Sequence, residues 1–391
     1  MADQRPLTSR RRFLERCAFA AAGAFVSGSS RAGARGVRIE VLDTMVISLD
    51  TQHYHGWPTV ARLTNGRLAV VCSGGREEHV CPFGRVDLYV SDDNGQSWGW
   101  PRTLLDSDID DRDAGILETA RGTLLVTTFT SLAYEPILAK AQASGAWEAV
   151  RRRRWQAAHN RLREEQRRAE LGQWMIRSTD GRRTWSPRDS RIVISPHGTI
   201  QLRDGRLLYA GKELGTGQRR NGVCELLDDG QTSCWLAEIP ARPGDDGAQY
   251  HELHAVECAS GRLVAHIRNH NDANSRETLQ SESTDGGRTW SVPHPIGVWG
   301  LPSHLLRLRD GRLLMTYGHR RAPLGNQARL SADEGRSWSE PMIVSGDGTS
   351  TDLGYPSTVE LADGTLLSVW YEALKDNPMA VLRQARWRIA G

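Results

Sequence analysis

Apolar runs along the chain come in pairs, and a polar turn that ends in glycine separates the two runs of each pair. The pattern occurs six times, in segments such as TVARLTNGRLAVV and HLLRLRDGRLLMT, and its glycines are Gly66, Gly122, Gly205, Gly261, Gly311 and Gly364. Asn-Gly or Asp-Gly between runs of β-forming residues is a strong signal for a β-hairpin. The nearly even spacing of these glycines, broken only between the second and the third, indicates six copies of one supersecondary unit.

A second polar motif follows four of the hairpins. It reads SDDNGQSW at 91–98, STDGRRTW at 178–185, STDGGRTW at 283–290 and SADEGRSW at 331–338, and ELLDDGQTSCW at 225–235 resembles a degenerate fifth copy. In such a turn the Ser and Asp side chains can bond backbone amides, the Gly takes a positive φ and the Trp packs between neighbouring sheets. We therefore interpret the motif as a structural staple on the same rim as the hairpin turns.

These repeats predict an all-β fold, a six-bladed β-propeller over 35–391, because roughly fifty residues suit one four-stranded sheet of a propeller. The first β segment, GVRIEVLDTMVISL, and the last, MAVLRQARWRIAG, are expected to share a blade and so close the ring. The second blade carries an insertion at 136–172, in which EAVRRRRWQAAHNRLREEQRRAELG predicts a basic helix. That helix is either a solvated decoration or a lid that guides an acidic glycan to the site.

The start of the chain has the order of an export signal. Paired arginines precede a short apolar run and then small residues in SRRRFLERCAFAAAGAFVSGSSRAGA. This order predicts a twin-arginine-type signal peptide over 1–34, and hence a bacterial protein that is periplasmic or secreted. The apolar run is too short to span a bilayer, so no stable membrane insertion is expected. A disordered basic tail is the alternative.

Charge and cysteine content exclude two further classes of function. A net charge of +3 over 391 residues leaves no concentrated basic footprint of the kind that nucleic acids require. Beyond the predicted signal, the cysteines are odd in number and lack zinc-site spacing: Cys72, Cys81, Cys224, Cys234 and Cys258. We expect them to be reduced, with most of them buried as small apolar residues, and we expect no metal and no cofactor.

Candidate chemistry stands at equivalent positions of the repeats. Nine residues before the hairpin glycines lie Trp57, Asp113, Pro196, Glu252, Pro302 and Tyr355. Equivalent strands should present these side chains at the same height on one open rim. The strands that return to this rim carry Arg76, Lys212, Arg268, Arg320, Arg321 and Glu372, and His197 and His251 also belong near it.

This composition suits a glycan site. A carboxyl group can act as general acid, a tyrosine beside a carboxylate can act as nucleophile, and arginines can hold a carboxylate or sulfate. The alternative is an axial cluster of ion pairs that seals the channel.

The Asp-boxes, hairpins and rim residues together resemble the sialidase (neuraminidase) superfamily over about 37–389. RDAGILETARGTLL is similar to the segment that supplies the acid/base aspartate of sialidases, which falls on Asp113. HELHAVECASGRLVAHIRN is similar to the segment with the base and the second arginine of the carboxylate-binding triad, which fall on Glu252 and Arg268. GYPSTVELADGTLLSVWYE is similar to the nucleophile segment, which places that tyrosine at Tyr355.

The chain departs from this family at the carboxylate clamp. Sialidases open the first hairpin with Arg-Ile-Pro, whereas YHGWPTV here has Gly56 in the place of the first arginine. The usual spacing of the third arginine reaches Pro323, with Arg320 and Arg321 close by. The resemblance therefore implies the fold and a carbohydrate function, but it does not imply sialic acid as the substrate.

The resulting hypothesis is an exported, sialidase-like exo-glycosidase that acts on a terminal, acidic sugar of a glycan. Asp113 would protonate the leaving oxygen, and Glu252 would activate Tyr355 for attack on the anomeric carbon. The residues expected to contact the substrate are Arg268, Arg320, Arg321, Arg76, His197, His251 and Trp57.

Two alternatives stay open. A polysaccharide lyase would use Tyr250 or Tyr355 with His251 to move a proton while Arg268 neutralises a uronate. A non-catalytic glycan-binding propeller would keep Trp57 and the arginines as a binding platform.

Overall fold

The computed structural model describes residues 37–48, 50–214 and 219–390, and the predicted signal peptide at 1–34 lies outside the described residues. Six antiparallel sheets form the blades of a propeller, which confirms the predicted fold class. The first described strand, β1 (Arg38–Val46), belongs to the last blade, and blade 1 contains β2 (Tyr54–Arg62), β3 (Leu68–Arg76), β4 (Arg85–Ser91) and β5 (Arg102–Leu105).

Blades 2 and 3 are the irregular ones. Blade 2 contains β6 (Asp110–Glu118), β7 (Leu124–Ser131), β8 (Gln173–Ser178) and β9 (Asp189–Ser190), and between β7 and β8 it carries α1 (Glu135–Ser144), α2 (Ala149–His159) and α3 (Glu164–Ala169). Blade 3 contains β10 (Val193–Ile194), β11 (Ile200–Gln201), β12 (Leu207–Glu213), β13 (Asn221–Leu227) and β14 (Thr232–Glu238). Its inner strand is interrupted, because β10 and β11 pair with the same edge of β12.

Blades 4, 5 and 6 complete the ring. Blade 4 contains β15 (Tyr250–Glu257), β16 (Leu263–Asn269), β17 (Leu279–Ser283) and β18 (His294–Pro295), with short 3₁₀ helices at Gly247–Gln249 and Ala273–Arg276. Blade 5 contains β19 (Ser303–Arg307), β20 (Leu313–His319), β21 (Gly325–Ser331) and β22 (Met342–Ser345). Blade 6 contains β23 (Leu353–Glu360), β24 (Leu366–Leu374) and β25 (Asn377–Ala390) together with β1.

The two ends of the propeller meet in blade 6, as the sequence predicts. Strand β1 pairs antiparallel with β25 in a register that runs from Arg38 opposite Ala390 to Val46 opposite Arg383. The inner strand β23 also contacts β2 of blade 1. This pairing makes β1 the outer strand of blade 6 and closes the ring at six blades.

Four Asp-box turns have the expected staple geometry. In the third of them, Ser283 Oγ accepts a hydrogen bond from the Gly287 amide at 2.9 Å, and Asp285 Oδ1 accepts one from the Thr289 amide at 2.9 Å. In the first of them, the indole of Trp98 donates to Gln384 Oε1 of blade 6 at 2.8 Å. The staples therefore tie neighbouring blades together.

The rim position of the staples is also as expected, whereas the fifth copy is a tight hairpin turn without the Asp-box shape, although its Asp229 carbonyl still accepts a hydrogen bond from Arg177 Nε of blade 2 at 3.1 Å. Arg67, beside the first hairpin glycine, pairs with Asp92 of the first Asp-box at 2.5 Å, so both kinds of turn lie on one rim. In the degenerate segment, strands β13 and β14 stay paired up to Leu227 opposite Thr232. This segment is thus an ordinary hairpin, because the ladder leaves no room for the wide Asp-box turn.

The insertion of blade 2 forms three helices rather than the single basic helix that the sequence suggests. Its centre is Trp155 of α2, which is fully buried in an apolar cluster with Tyr134 and Leu138. The Trp155 indole donates to Glu77 Oε2 at 2.9 Å. Because Glu77 directly follows strand β3, the insertion packs on the rim where that strand ends, which is opposite the hairpin turns.

Most of the cysteines are buried, as the sequence predicts. Four of the five described cysteines are buried, whereas Cys234 is exposed, and no disulfide joins any of them. Among the described residues, no helix is both long enough and apolar enough to cross a membrane.

Candidate active site

Four inner strands share one unusual backbone feature. Trp57, Asp113, Glu252 and Tyr355 have positive φ values of 53°, 42°, 49° and 52°, although none of them is glycine. Each lies where the pairing of its inner strand is interrupted by a shift of register. Left-handed residues of this kind cost of order 1–3 kcal/mol each, and bulges in strands re-aim side chains. The same strained backbone conformation therefore recurs in four blades. In each of them it sets the direction of the side chain that lies nine positions before the hairpin glycine.

Three of the predicted residues form a closed, hydrogen-bonded triangle. The Tyr355 hydroxyl donates a short hydrogen bond to Glu252 Oε1. Arg268 Nη1 donates to Glu252 Oε2 at 2.6 Å and to the Tyr355 hydroxyl at 2.9 Å. Strands β15, β16 and β23 thus bring a tyrosine, a carboxylate acceptor for its proton and a guanidinium to one point, as the sequence predicts.

The electrostatics of this triangle favour an ionised Glu252 and a neutral Tyr355. Burial by itself raises the pKa of Glu252, but the charge and hydrogen bond of Arg268 outweigh it and leave that pKa below its ordinary value. Burial, together with the negative charge of Glu252, raises the pKa of Tyr355 well above its ordinary value. The carboxylate is therefore the group that can take the phenolic proton when the oxygen reacts.

Asp113 provides a second carboxyl group, and its pKa is shifted in the opposite direction to that of Glu252. Its residue surface is 8% exposed. Burial raises the pKa of Asp113 to about 7, and of its charged neighbours Arg112 opposes this rise while Glu252 adds to it. A carboxyl group that is still about half protonated at neutral pH can act as a general acid. The pKa values of Asp113 and Glu252 are thus shifted in opposite directions, which suits Asp113 to act as an acid and Glu252 to act as a base.

A cavity of about 400 Å³ opens beside the two carboxyl groups. Asp113 and Glu252 line it, and so do Lys212, Arg219 and His251. Burial, followed by the charge of Lys212, lowers the pKa of His251 to about 4, so that this imidazole is neutral at physiological pH. His251 therefore lies at the site, where the sequence predicts it.

Of the two candidate arginines of blade 5, the structure brings one to the triangle. The Arg320 guanidinium lies 5.9 Å from the centre of the Tyr355 ring, and its Nε donates to the Leu353 carbonyl at 3.1 Å. Its charge contributes to the lowered pKa of Glu252. Arg321 instead lies 4.8 Å over the ring of Trp299, on an exposed part of blade 5.

Arg76 and Trp57 do not have the roles that the sequence suggests. Arg76 is completely buried, and its two terminal nitrogens donate to the Asp110 carboxylate at 2.6 and 3.0 Å, so its fork is already occupied. Trp57 is only 1% exposed, and Arg76 and Arg112 lie 4.9 and 4.4 Å from its ring. Trp57 is therefore a packed core residue with cations on its ring rather than an open stacking platform.

His197 is a further correction, because it lies apart from the site. Its ring packs against His254 and His304 with centroid distances of 5.4 and 5.1 Å. All three line an axial cavity of about 480 Å³ to which Asp113, Glu252 and Tyr355 do not contribute. Burial, followed by His254, lowers the pKa of His197 well below its ordinary value. The described residues contain no group of three or more His, Cys, Asp or Glu side chains suited to hold a metal ion.

The structure adds residues that the sequence interpretation missed. Asp352 accepts hydrogen bonds from the hydroxyls of Tyr54 and Tyr371 at 3.0 and 2.9 Å, and His79 Nδ1 lies 2.9 Å from the same carboxylate. The Tyr54 ring would lie 3.1 Å from a Cβ at Gly56, so this network lies beside the position to which the sequence resemblance assigns the first arginine of sialidases. The charged segment SGGREEHVCPFG, which carries His79, is a sequence signal that could have indicated this network.

Arg112 is another missed residue, and Tyr250 is a candidate that the structure removes. Arg112 directly precedes Asp113, and its charge opposes the rise in the pKa of that carboxyl group. Tyr250 is completely buried, and its hydroxyl donates to Asp245 Oδ2 at 2.6 Å. That hydroxyl is thus held away from the cavity, which argues against the version of the lyase hypothesis that uses Tyr250.

Comparisons with known proteins agree with this fold. The model of the BNR repeat-like domain matches residues 150–367. A protein of unknown function from Dyadobacter fermentans superimposes with a TM-score of 0.72 at 21% identity, over 90% of this chain and 99% of that one. A search of curated protein sequences found no match.

Sialidases are among the similar solved structures. A Hadza microbial sialidase has a TM-score of 0.60 at 16% identity over 85% of this chain. The Trypanosoma rangeli sialidase, in complex with the inhibitor DANA, has a TM-score of 0.58 at 17% identity over 89% of this chain. This chain spans 65% and 58% of the length of those two chains. At such identities the likeness establishes the fold alone, a sialidase-like propeller.

Proposed function

The chain belongs to the BNR repeat-like domain family, and on that premise we propose that it is a glycoside hydrolase that cleaves a terminal, acidic sugar from a glycan. One observation carries the proposal: the Tyr355 hydroxyl is hydrogen-bonded to Glu252 while both are bonded to Arg268. A non-catalytic glycan-binding protein has no need of this arrangement, whereas a tyrosine nucleophile cannot work without a carboxylate to take its proton.

The proposed reaction has two displacements. Tyr355 Oη attacks the anomeric carbon and Glu252 takes the phenolic proton, while Asp113 donates its proton to the glycosidic oxygen as the bond to the leaving group breaks. Asp113, now ionised, then removes a proton from water, the water attacks the anomeric carbon, and Tyr355 recovers its proton from Glu252 as it leaves. Two inversions at one carbon give net retention of configuration.

An acidic substrate follows from the charges around the nucleophile. Arg268 and Arg320 both lie beside Tyr355. Two guanidinium groups next to the nucleophile favour a bound anion, and a carboxylate of the substrate would supply that charge. A neutral phenol also avoids the repulsion that a carboxylate nucleophile would meet from an acidic sugar.

The test is turnover of a panel of acidic glycosides by the purified mature protein, with both new reducing ends and unsaturated products measured. We expect reducing ends for at least one glycoside, with retained configuration by NMR. Tyr355→Phe should then lower kcat by about 10³-fold or more while the dissociation constant of the substrate changes little, since only the attacking oxygen is lost.

Tyr317→Phe is the matched control, because it also removes a buried hydroxyl, one bonded to Gln327 in blade 5 outside the site. It should keep wild-type kcat. Full activity of Tyr355→Phe would overturn the nucleophile assignment. Unsaturated products would instead support a lyase, and tight binding without any product would support a glycan-binding propeller.

A further inference from the structure

We propose that the cavity beside Asp113 and Glu252 contains a second anion subsite, formed by Lys212, Arg219 and His251, that takes a sulfate or carboxylate substituent of the sugar. This inference rests on the proposed function, because it assigns the cavity to the substrate of that hydrolase. It narrows the substrate class to acidic sugars that carry a second oxyanion.

The donors of this subsite are held in place by defined contacts. Lys212, at the end of β12, is 5% exposed, and its ammonium donates to the Ala248 carbonyl at 2.5 Å and to His251 Nδ1 at 3.3 Å. Because His251 Nδ1 accepts from an ammonium, its hydrogen is on Nε2, which makes the imidazole a second donor. Arg219 lines the same cavity and is exposed. A buried donor and an exposed donor thus share one cavity.

The two cations of this cavity have no direct ion-pair partner among the described residues, although the Glu252 carboxylate lines the same cavity. Among the described residues, neither Lys212 nor Arg219 forms a salt bridge, whereas the next residue, Arg220, pairs with Glu213 at 2.8 Å. Burial, followed by the charge of Arg219, lowers the pKa of Lys212 to about 8, and Asp246 only partly opposes this. At neutral pH the ammonium therefore stays mostly protonated beside another cation. Cations held together in this way, partly out of water, favour a bound anion.

The subsite is separate from the arginines that surround the nucleophile. Neither Arg268 nor Arg320 lines the cavity, whereas Asp113 and Glu252 do. A sugar with its carboxylate at the arginines could thus extend a second acidic substituent toward Lys212. A hydroxyl at that position would accept one hydrogen bond but would not balance the two cations.

A test that does not depend on activity is a crystal of the full mature chain soaked in sodium selenate, with selenium located by anomalous scattering. We expect selenate within hydrogen-bond distance of Lys212 in the wild type and none there in Lys212→Met. Arg219→Gln is the second variant, because an exposed substitution leaves the fold intact. Arg121→Gln is the matched control, since it removes the same charge on an exposed hairpin turn and should leave the selenate in place.

Kinetics supply the second readout. For the best glycoside of the acidic panel, its sulfate ester should have the higher kcat/KM, and Lys212→Met should abolish that preference by raising KM for the ester about tenfold. Equal kcat/KM for ester and parent, with no selenate in the cavity, would overturn the subsite even if hydrolysis is intact. Selenate in the cavity of a protein that cleaves no glycoside would instead support the subsite and count against the proposed hydrolase.

Discussion

Replacing Asp113 by asparagine separates its role in proton transfer from its cost to stability. The folded-state pKa of Asp113 is about 7 against an ordinary value of 3.8, because burial penalises the charged form. At 1.36 kcal/mol per pKa unit, the ionised carboxylate costs the fold about 4 kcal/mol above neutral pH. The sign is set by the raised pKa: the cost is absent below pH 3.8, grows as the pH rises and levels off above pH 7.

Asp113→Asn should therefore stabilise the protein, and increasingly so as the pH rises. Between about pH 5 and about pH 8, the difference in free energy of unfolding between variant and wild type should grow by about 3 kcal/mol. Urea unfolding curves at several pH values measure this difference. A difference that stays constant with pH would refute the raised pKa.

The same substitution should lower activity in a way that depends on the leaving group. For a natural glycoside, whose leaving oxygen needs a proton, kcat should fall by about 10²–10⁴-fold. For a 4-nitrophenyl glycoside, which leaves as a stable anion, the loss should be far smaller. The decline of kcat/KM above about pH 7 should disappear in the variant. Equal losses on both substrates would show that Asp113 does not protonate the leaving group.

Two structural predictions concern regions outside the site. Burial holds the pKa of His197 below 6.5, so this histidine takes up a proton only when the protein unfolds. The free energy of unfolding of the wild type should therefore fall as the pH drops below 6.5, and His197→Leu should make that decline shallower. Equal slopes for the two proteins would contradict this. Trp155→Ala should remove about 3–5 kcal/mol of packing energy from the insertion. Tryptic cleavage within Ala149–His159 should then be faster, while the Tm of the propeller changes little. An unchanged cleavage rate would contradict this prediction.

Export through a twin-arginine signal stays a prediction, since residues 1–34 lie outside the described part of the chain.

Local patterns in the sequence were enough to predict the six hairpins, the Asp-box turns and the blade shared by the two chain ends. They also placed Asp113, Glu252 and Tyr355 together, because equal spacing from equivalent glycines puts residues at equal heights in repeated sheets. The sequence pattern was ambiguous at 225–235, because an Asp-Gly pair followed by a tryptophan suits either an Asp-box turn or a plain hairpin. The pairing of β13 with β14 shows that the segment is a hairpin.

Only the tertiary structure decided which cations are available to a ligand. Arg76 and Arg268 occupy similar sequence positions, yet Arg76 is completely buried against Asp110, whereas Arg268 donates to the hydroxyl of Tyr355. The same holds for Lys212, which is largely buried yet has no salt-bridge partner among the described residues. A side chain's type and spacing follow from the local chain, whereas its burial and its charge partners depend on residues far away in sequence, which meet only when the ring closes.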